Sequence, residues 1–112
     1  MRRLGMRFVV LGAGAVGGVV GGRLAQHGHD VALIARGPHL EAIRAGGLRV
    51  VSPDDEVVVH PPALASPADV DWQDDDVVVL ATKSQHTVAA LEALEVVVPA
   101  AVAIVCLQNG VA

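Results

Sequence analysis

Four segments of this chain are apolar without alternation: Phe8–Leu11, Val31–Ala35, Val77–Ala81 and Val102–Leu107. A strand with one wet face would alternate, so short continuous runs rich in Val and Ile predict parallel strands covered on both faces. Between the first two, Ala15 to His27 predicts a helix, with Gly28 placed just past its end to take a left-handed turn. Residues 8–35 thus read as strand, Gly-rich turn, helix, strand, a βαβ unit. A short helix is expected from His39 to Ala45, stopped by Gly46-Gly47. Another is expected from Thr87 to Leu94, extending to about Val98.

Two further strands, Leu48–Val51 and Val57–His60, flank Ser52-Pro53-Asp54-Asp55. Pro followed by Asp suits the central positions of a turn, which predicts a hairpin. Pro61-Pro62 stops its second strand. Ala63 to Asp76 is a Pro- and Asp-rich connection with one short strand at Ala63-Leu64. The succession predicts an α/β fold: a Rossmann-like parallel sheet with flanking helices and a β-hairpin insertion. Residues 1–5 precede it as a leader without predicted structure, and residues 6–112 form one domain. At 112 residues the chain has no room for a second.

Composition narrows the function. Hydrophobic residues make up 53% of the chain, enough for a packed core. Phe8 and Trp72 are the only aromatics, which argues against base-stacking platforms. The net charge of −4 leaves no basic footprint for nucleic acid. The single Cys excludes an internal disulfide and a Cys-rich zinc site, and fits a reducing, cytoplasmic setting. Cys106 lies in an apolar strand and reads as a small buried hydrophobe. Arg2, Arg3 and Arg7 before the uncharged run Phe8–Gly22 imitate a secretion signal, but the run's six glycines suit its helix poorly. Val96–Leu107 contains Pro99 and falls short of the roughly 20 residues that a membrane span needs.

The densest chemical signal is Gly12-Ala13-Gly14-Ala15-Val16-Gly17. It fits G-x-G-x-x-G after a strand and at the start of a helix. Gly12 permits the tight turn, Gly14 lets a pyrophosphate approach the backbone, and Gly17 lets helix and strand pack closely. The helix start offers free N–H groups and about half a positive charge to phosphates. The second strand ends Ile34-Ala35-Arg36, where an NAD site would carry an acid for the ribose 2′-hydroxyl. Arg36 instead suits a 2′-phosphate, so NADP(H) is the expected cofactor.

Lys83 is the only lysine and follows the strand Val77–Ala81. Asn109 follows the last strand in Gln108-Asn109-Gly110. Both fall where ligands bind in open α/β sheets, although a surface lysine and an Asn-Gly turn would look the same. Solvated turn residues account for His27 and His29 better than a metal site does, and no metal is expected. Asp69, Asp71 and Asp74-Asp75-Asp76 read as a solvated connection, and His86 as an exposed residue at a helix start.

Gly12–Gly17, Ile34-Ala35-Arg36-Gly37, Ala81-Thr82-Lys83-Ser84-Gln85 and Leu107-Gln108-Asn109-Gly110-Val111, in that order and spacing, resemble ketopantoate reductase (2-dehydropantoate 2-reductase) over Met6 to Ala112. The resemblance implies NADPH-dependent reduction of 2-dehydropantoate, a small 2-oxoacid, to pantoate, in pantothenate and coenzyme A biosynthesis. It implies that Arg36 contacts the NADP 2′-phosphate, and that Lys83 and Asn109 line the nicotinamide end beside substrate. It also implies a C-terminal helical domain carrying the general-acid lysine, for which 112 residues have no room. No catalytic residue is therefore expected within this chain. It is expected to be an N-terminal part that binds NADPH weakly, self-associates and does not turn over the ketoacid alone. A non-catalytic NADP-binding module, or the cofactor domain of another NADP-dependent dehydrogenase, are the alternatives.

Overall fold

The structure is a computed structural model and describes residues 6–12, 15–81 and 84–106. β1 (Arg7–Leu11) leads through the glycine turn into α1 (Ala15–Gln26), and β2 (Asp30–Ile34) follows. Helix α1 ends as expected. Gly28 adopts φ 86°, its N–H donates to Ala25 O, and His29 N–H donates to Leu24 O. These two bonds satisfy carbonyls that the helix end would otherwise strand. Helix α2 spans Gly37–Gly46, starting earlier than expected. Pro38, which has a fixed φ and no N–H to lose, fits its first turn.

The predicted hairpin forms. β3 (Leu48–Ser52) pairs antiparallel with β4 (Asp55–Val59), leaving Pro53 and Asp54 as the turn. β5 is only Ala63–Leu64. A single turn of 3-10 helix, Pro67–Asp69, follows, and then β6 (Val77–Leu80), α3 (Ser84–Val97) and β7 (Ala103–Cys106). Helix α3 begins at Ser84, earlier than expected, and His86 lies in its first turn.

Five strands form one parallel sheet in the order β5-β2-β1-β6-β7. Side chains alternate across it. Val10, Val31, Leu33, Ala35, Ala63 and Val79 share one face, covered by Leu40 and Ile43 of α2, by Val20 and Leu24 of α1, and by Leu48. Val9, Ile34, Val78 and Leu80 share the other, under Val70, Trp72 and Leu94. Leu33, Leu80 and Leu94 are fully buried, each contributing about 1.5–3 kcal/mol of transfer free energy. The connection from β5 to β6 covers its face with one helical turn and Trp72. The Trp72 indole N–H donates to Pro67 O at 2.9 Å, while its ring packs against both clusters on that face.

Two expectations are corrected. Asp76 was expected in a solvated connection, yet it is 1% exposed. Its Oδ2 accepts from Arg7 Nη2 at 2.8 Å and from Gln73 N–H at 2.9 Å, which compensates a charge that burial would otherwise penalise. Cys106 was expected to be buried, yet it is exposed. β7 borders the described part of the sheet, so it lacks the second neighbour that a central strand has, and all four of its residues are exposed.

Candidate functional site

Strand order reverses between β1 and β6. From β1 the chain crosses by α1 to β2 on one side, and from β6 it crosses by α3 to β7 on the other. The two connections leave on opposite faces, so the carboxyl ends of β1 and β6 are the switch point at which open α/β sheets bind ligands. The last bond across this point is Ala81 N–H to Leu11 O at 2.9 Å. The residue after Leu11 is Gly12, with φ 91°. A side chain is rarely tolerated at that angle, and Gly adopts it at little cost. The chain thus turns out of the sheet where the glycine motif begins.

Ala15, Val16 and Gly17 are in α1, as the motif requires. Ala13, Gly14, Lys83 and Asn109 lie outside the described residues. Arg36 follows β2, the strand beside β1, and stands as the N-cap residue of α2 in an extended conformation (φ −131°, ψ 152°). Its side chain makes no cap bond and is exposed. No acid occupies Ile34-Ala35-Arg36-Gly37. The structure therefore brings Gly12 and Arg36 to the carboxyl ends of adjacent strands. The arrangement can hold a dinucleotide, with pyrophosphate at the start of α1 and the adenosine ribose over β2.

Sequence reasoning missed the glycines that seat α1. A Cβ on Gly21 would lie 2.7 Å from Leu33 Cδ2 and 3.5 Å from Val10 Cγ2. One on Gly22 would lie 2.5 Å from Val50 Cγ2. Gly21 brings the helix onto the sheet, and Gly22 brings the hairpin onto the helix. A signal was present, since Gly17 and Gly21, like Gly18 and Gly22, are one helical turn apart. His27 and His29 are exposed, and the His29 ring stands edge-on to Phe8 with centroids 5.7 Å apart. Among the described residues, no group of three or more His, Cys, Asp or Glu is placed to hold a metal ion. Among them, too, no helix is long and apolar enough to cross a membrane.

The family model for ketopantoate reductase PanE/ApbA matches residues 8–112. The chain is 39% identical over 106 residues to 2-dehydropantoate 2-reductase of Pyrococcus abyssi (strain GE5 / Orsay), covering 95% of this chain and 34% of that protein. It is 37% identical over 107 residues to 2-dehydropantoate 2-reductase of Mesorhizobium japonicum, covering 95% of this chain and 32% of that protein. It therefore spans about a third of the length of these relatives. Among solved structures, a PanE/ApbA family ketopantoate reductase from Ralstonia eutropha JMP134 superposes with a TM-score of 0.85 at 39% identity, covering 94% of this chain and 35% of that one. D-mandelate dehydrogenase, solved with NADH and anilino(oxo)acetate, superposes with a TM-score of 0.80 at 28% identity, covering 96% of this chain and 34% of that one.

Proposed function

The chain belongs to the ketopantoate reductase family, and from that premise we propose that it is the NADP(H)-binding part of an oxidoreductase that reduces 2-dehydropantoate to pantoate, a step of pantothenate and coenzyme A biosynthesis. The observation that carries the proposal is Gly12 and Arg36 at the ends of adjacent parallel strands, with no acid beside Arg36. The residues present fit that cofactor. Gly12 holds a turn with φ 91°, α1 starts just beyond it, and the exposed Arg36 guanidinium offers a fork of donors.

When bound, the nicotinamide supplies the hydride for the ketone carbon. The chain's own residues bind and orient. Free N–H groups at the start of α1 take the pyrophosphate, and Arg36 takes the 2′-phosphate with charge-assisted bonds. Lys83 and Asn109, as the family resemblance implies, face the nicotinamide end and the 2-oxoacid. The proton for the carbonyl oxygen comes from an acid outside these 112 residues, so they alone bind without turnover. The site is that of a small-molecule enzyme working in the cytoplasm, without nucleic acid or membrane as partner.

Isothermal titration with NADPH and NADH tests the cofactor. NADPH should bind the more tightly, and Arg36→Ala should remove about 1.5–3 kcal/mol of that preference. Equal affinities in the unmutated protein would overturn the assignment. D-mandelate dehydrogenase was solved with NADH, so a preference for NADH would favour a 2-oxoacid reductase of that kind.

A further inference from the structure

β2 and β5 run parallel, with Leu33 opposite Ala63 and Ile34 opposite Leu64. Ala35 N–H donates to Leu64 O at 3.0 Å, which carries the pairing past the last assigned pair. Two residues beyond that pair stand Arg36 and Ser66. Both have extended backbones, φ −131°, ψ 152° and φ −152°, ψ 151°, although the chain bends at Ala65 before it reaches Ser66. Each is also the N-cap residue of the helical turn that follows. Side chains two apart in a strand share a face. Arg36 therefore follows Ile34 toward the face where Ile34 and Leu64 pack in one cluster, while Ser66 lies just past the bend at the end of β5. Neighbouring strands are about 4.8 Å apart, so the pairing brings Arg36 and Ser66 to the carboxyl ends of adjacent strands.

The hydroxyl of Ser66 is already oriented. Its Oγ accepts from Ala68 N–H at 3.2 Å, which uses a lone pair and leaves the O–H proton to donate. At the end of the adjacent strand stands the Arg36 guanidinium, which has only donors. Two donors, with no acid next to Arg36 and the one acid near Ser66, Asp69, exposed a turn further on, match a phosphate monoester. They do not match a ribose diol, which needs an acceptor for its own O–H groups. Thr or Asp would preserve the cap, so capping alone does not require Ser.

We propose that Ser66 is a second specificity-determining residue, donating its hydroxyl to the 2′-phosphate of NADP(H) beside Arg36. The inference rests on the reading of the glycine turn as a dinucleotide site. The test is the ratio of the NADH and NADPH dissociation constants for the unmutated protein and for S66A, S66T, S66D and R36A, with circular dichroism as the folding control. S66A should lower the NADPH preference about tenfold, with NADH binding unchanged. S66T should restore it. S66D keeps the cap but sets a negative charge against the phosphate, so it should lower the preference further than S66A. If R36A collapses the preference while S66A and S66D leave it unchanged, Ser66 has no part in specificity and the cofactor reading stands. If the unmutated protein binds neither NADPH nor NADH, the dinucleotide reading itself fails.

Discussion

Arg7 and Asp76 form an ion pair of 2.8 Å at the amino ends of β1 and β6, opposite the candidate site. The same guanidinium nitrogen donates to Asp71 O at 2.9 Å. The Asp76 side chain is fully buried, and that of Arg7 is 13% exposed. The two deletions should therefore be unequal. Arg7→Met leaves a carboxylate cut off from water and should cost about 3–5 kcal/mol. Asp76→Ala leaves a cation that still reaches solvent and Asp71 O, and should cost about 1–3 kcal/mol. Urea unfolding followed by the fluorescence of Trp72, the one tryptophan, measures both. An equal cost would contradict the buried-charge argument.

Two glycine-to-alanine changes should have opposite signs. Alanine gains about 1 kcal/mol over glycine in a helix. At Gly21 the new methyl meets Leu33, which is 0% exposed and has nowhere to move. Overpacking costs about 1–3 kcal/mol, so Gly21→Ala should destabilise. At Gly46, the last residue of α2, an added Cβ meets nothing within 4 Å. Gly46→Ala should stabilise by about 0.5–1 kcal/mol. Thermal unfolding of both variants decides the signs.

Gly14→Val should abolish dinucleotide binding and leave the fold intact, because a branched side chain would fill the space that a pyrophosphate needs. Titration with NADPH, beside a circular dichroism spectrum matching the parent's, is the check. A folded variant that still binds would count against the glycine motif.

β7 presents Ile104 and Val105 to solvent, 40% and 45% exposed. Being consecutive, they lie on opposite faces of the sheet. An apolar border strand invites pairing between copies. The 112-residue chain should therefore elute earlier than its 11.5 kDa mass predicts, increasingly so with concentration, and Ile104→Lys with Val105→Glu should reduce the shift. The same preparation should show no ketopantoate-dependent loss of NADPH absorbance. Turnover by it would require a catalytic acid within these residues.

The elements were legible because local chemistry decides them. Continuous Val-rich runs gave the parallel strands, Gly28 closed α1, and Pro53-Asp54 closed the hairpin. Gly12 and Arg36 were legible for the same reason, each standing directly after a strand. Facts that depend on register were not. Arg7 and Asp76 each precede an apolar run by one residue, but only the pairing of Phe8 with Val77 makes them neighbours. Arg36 and Ser66 are likewise distant in sequence and are brought to adjacent strand ends by the pairing of β2 with β5. The exposure of Cys106 follows from the position of β7 in the sheet, which its apolar composition does not encode.

The sheet order also sets a timetable for synthesis. β1 can pair with β2 once α1 and β2 have left the ribosome, but its other edge waits for β6, 69 residues further along at the Arg7–Asp76 pair. At about 5–20 residues per second the nascent chain carries that open edge for some seconds. Meanwhile the hairpin, whose strands adjoin in sequence, can close and settle on α1 through Gly22. β1 is thus made before both of its neighbours and is enclosed only when the later one arrives, and the nascent chain is most prone to aggregate in the interval before Val77–Leu80 is made.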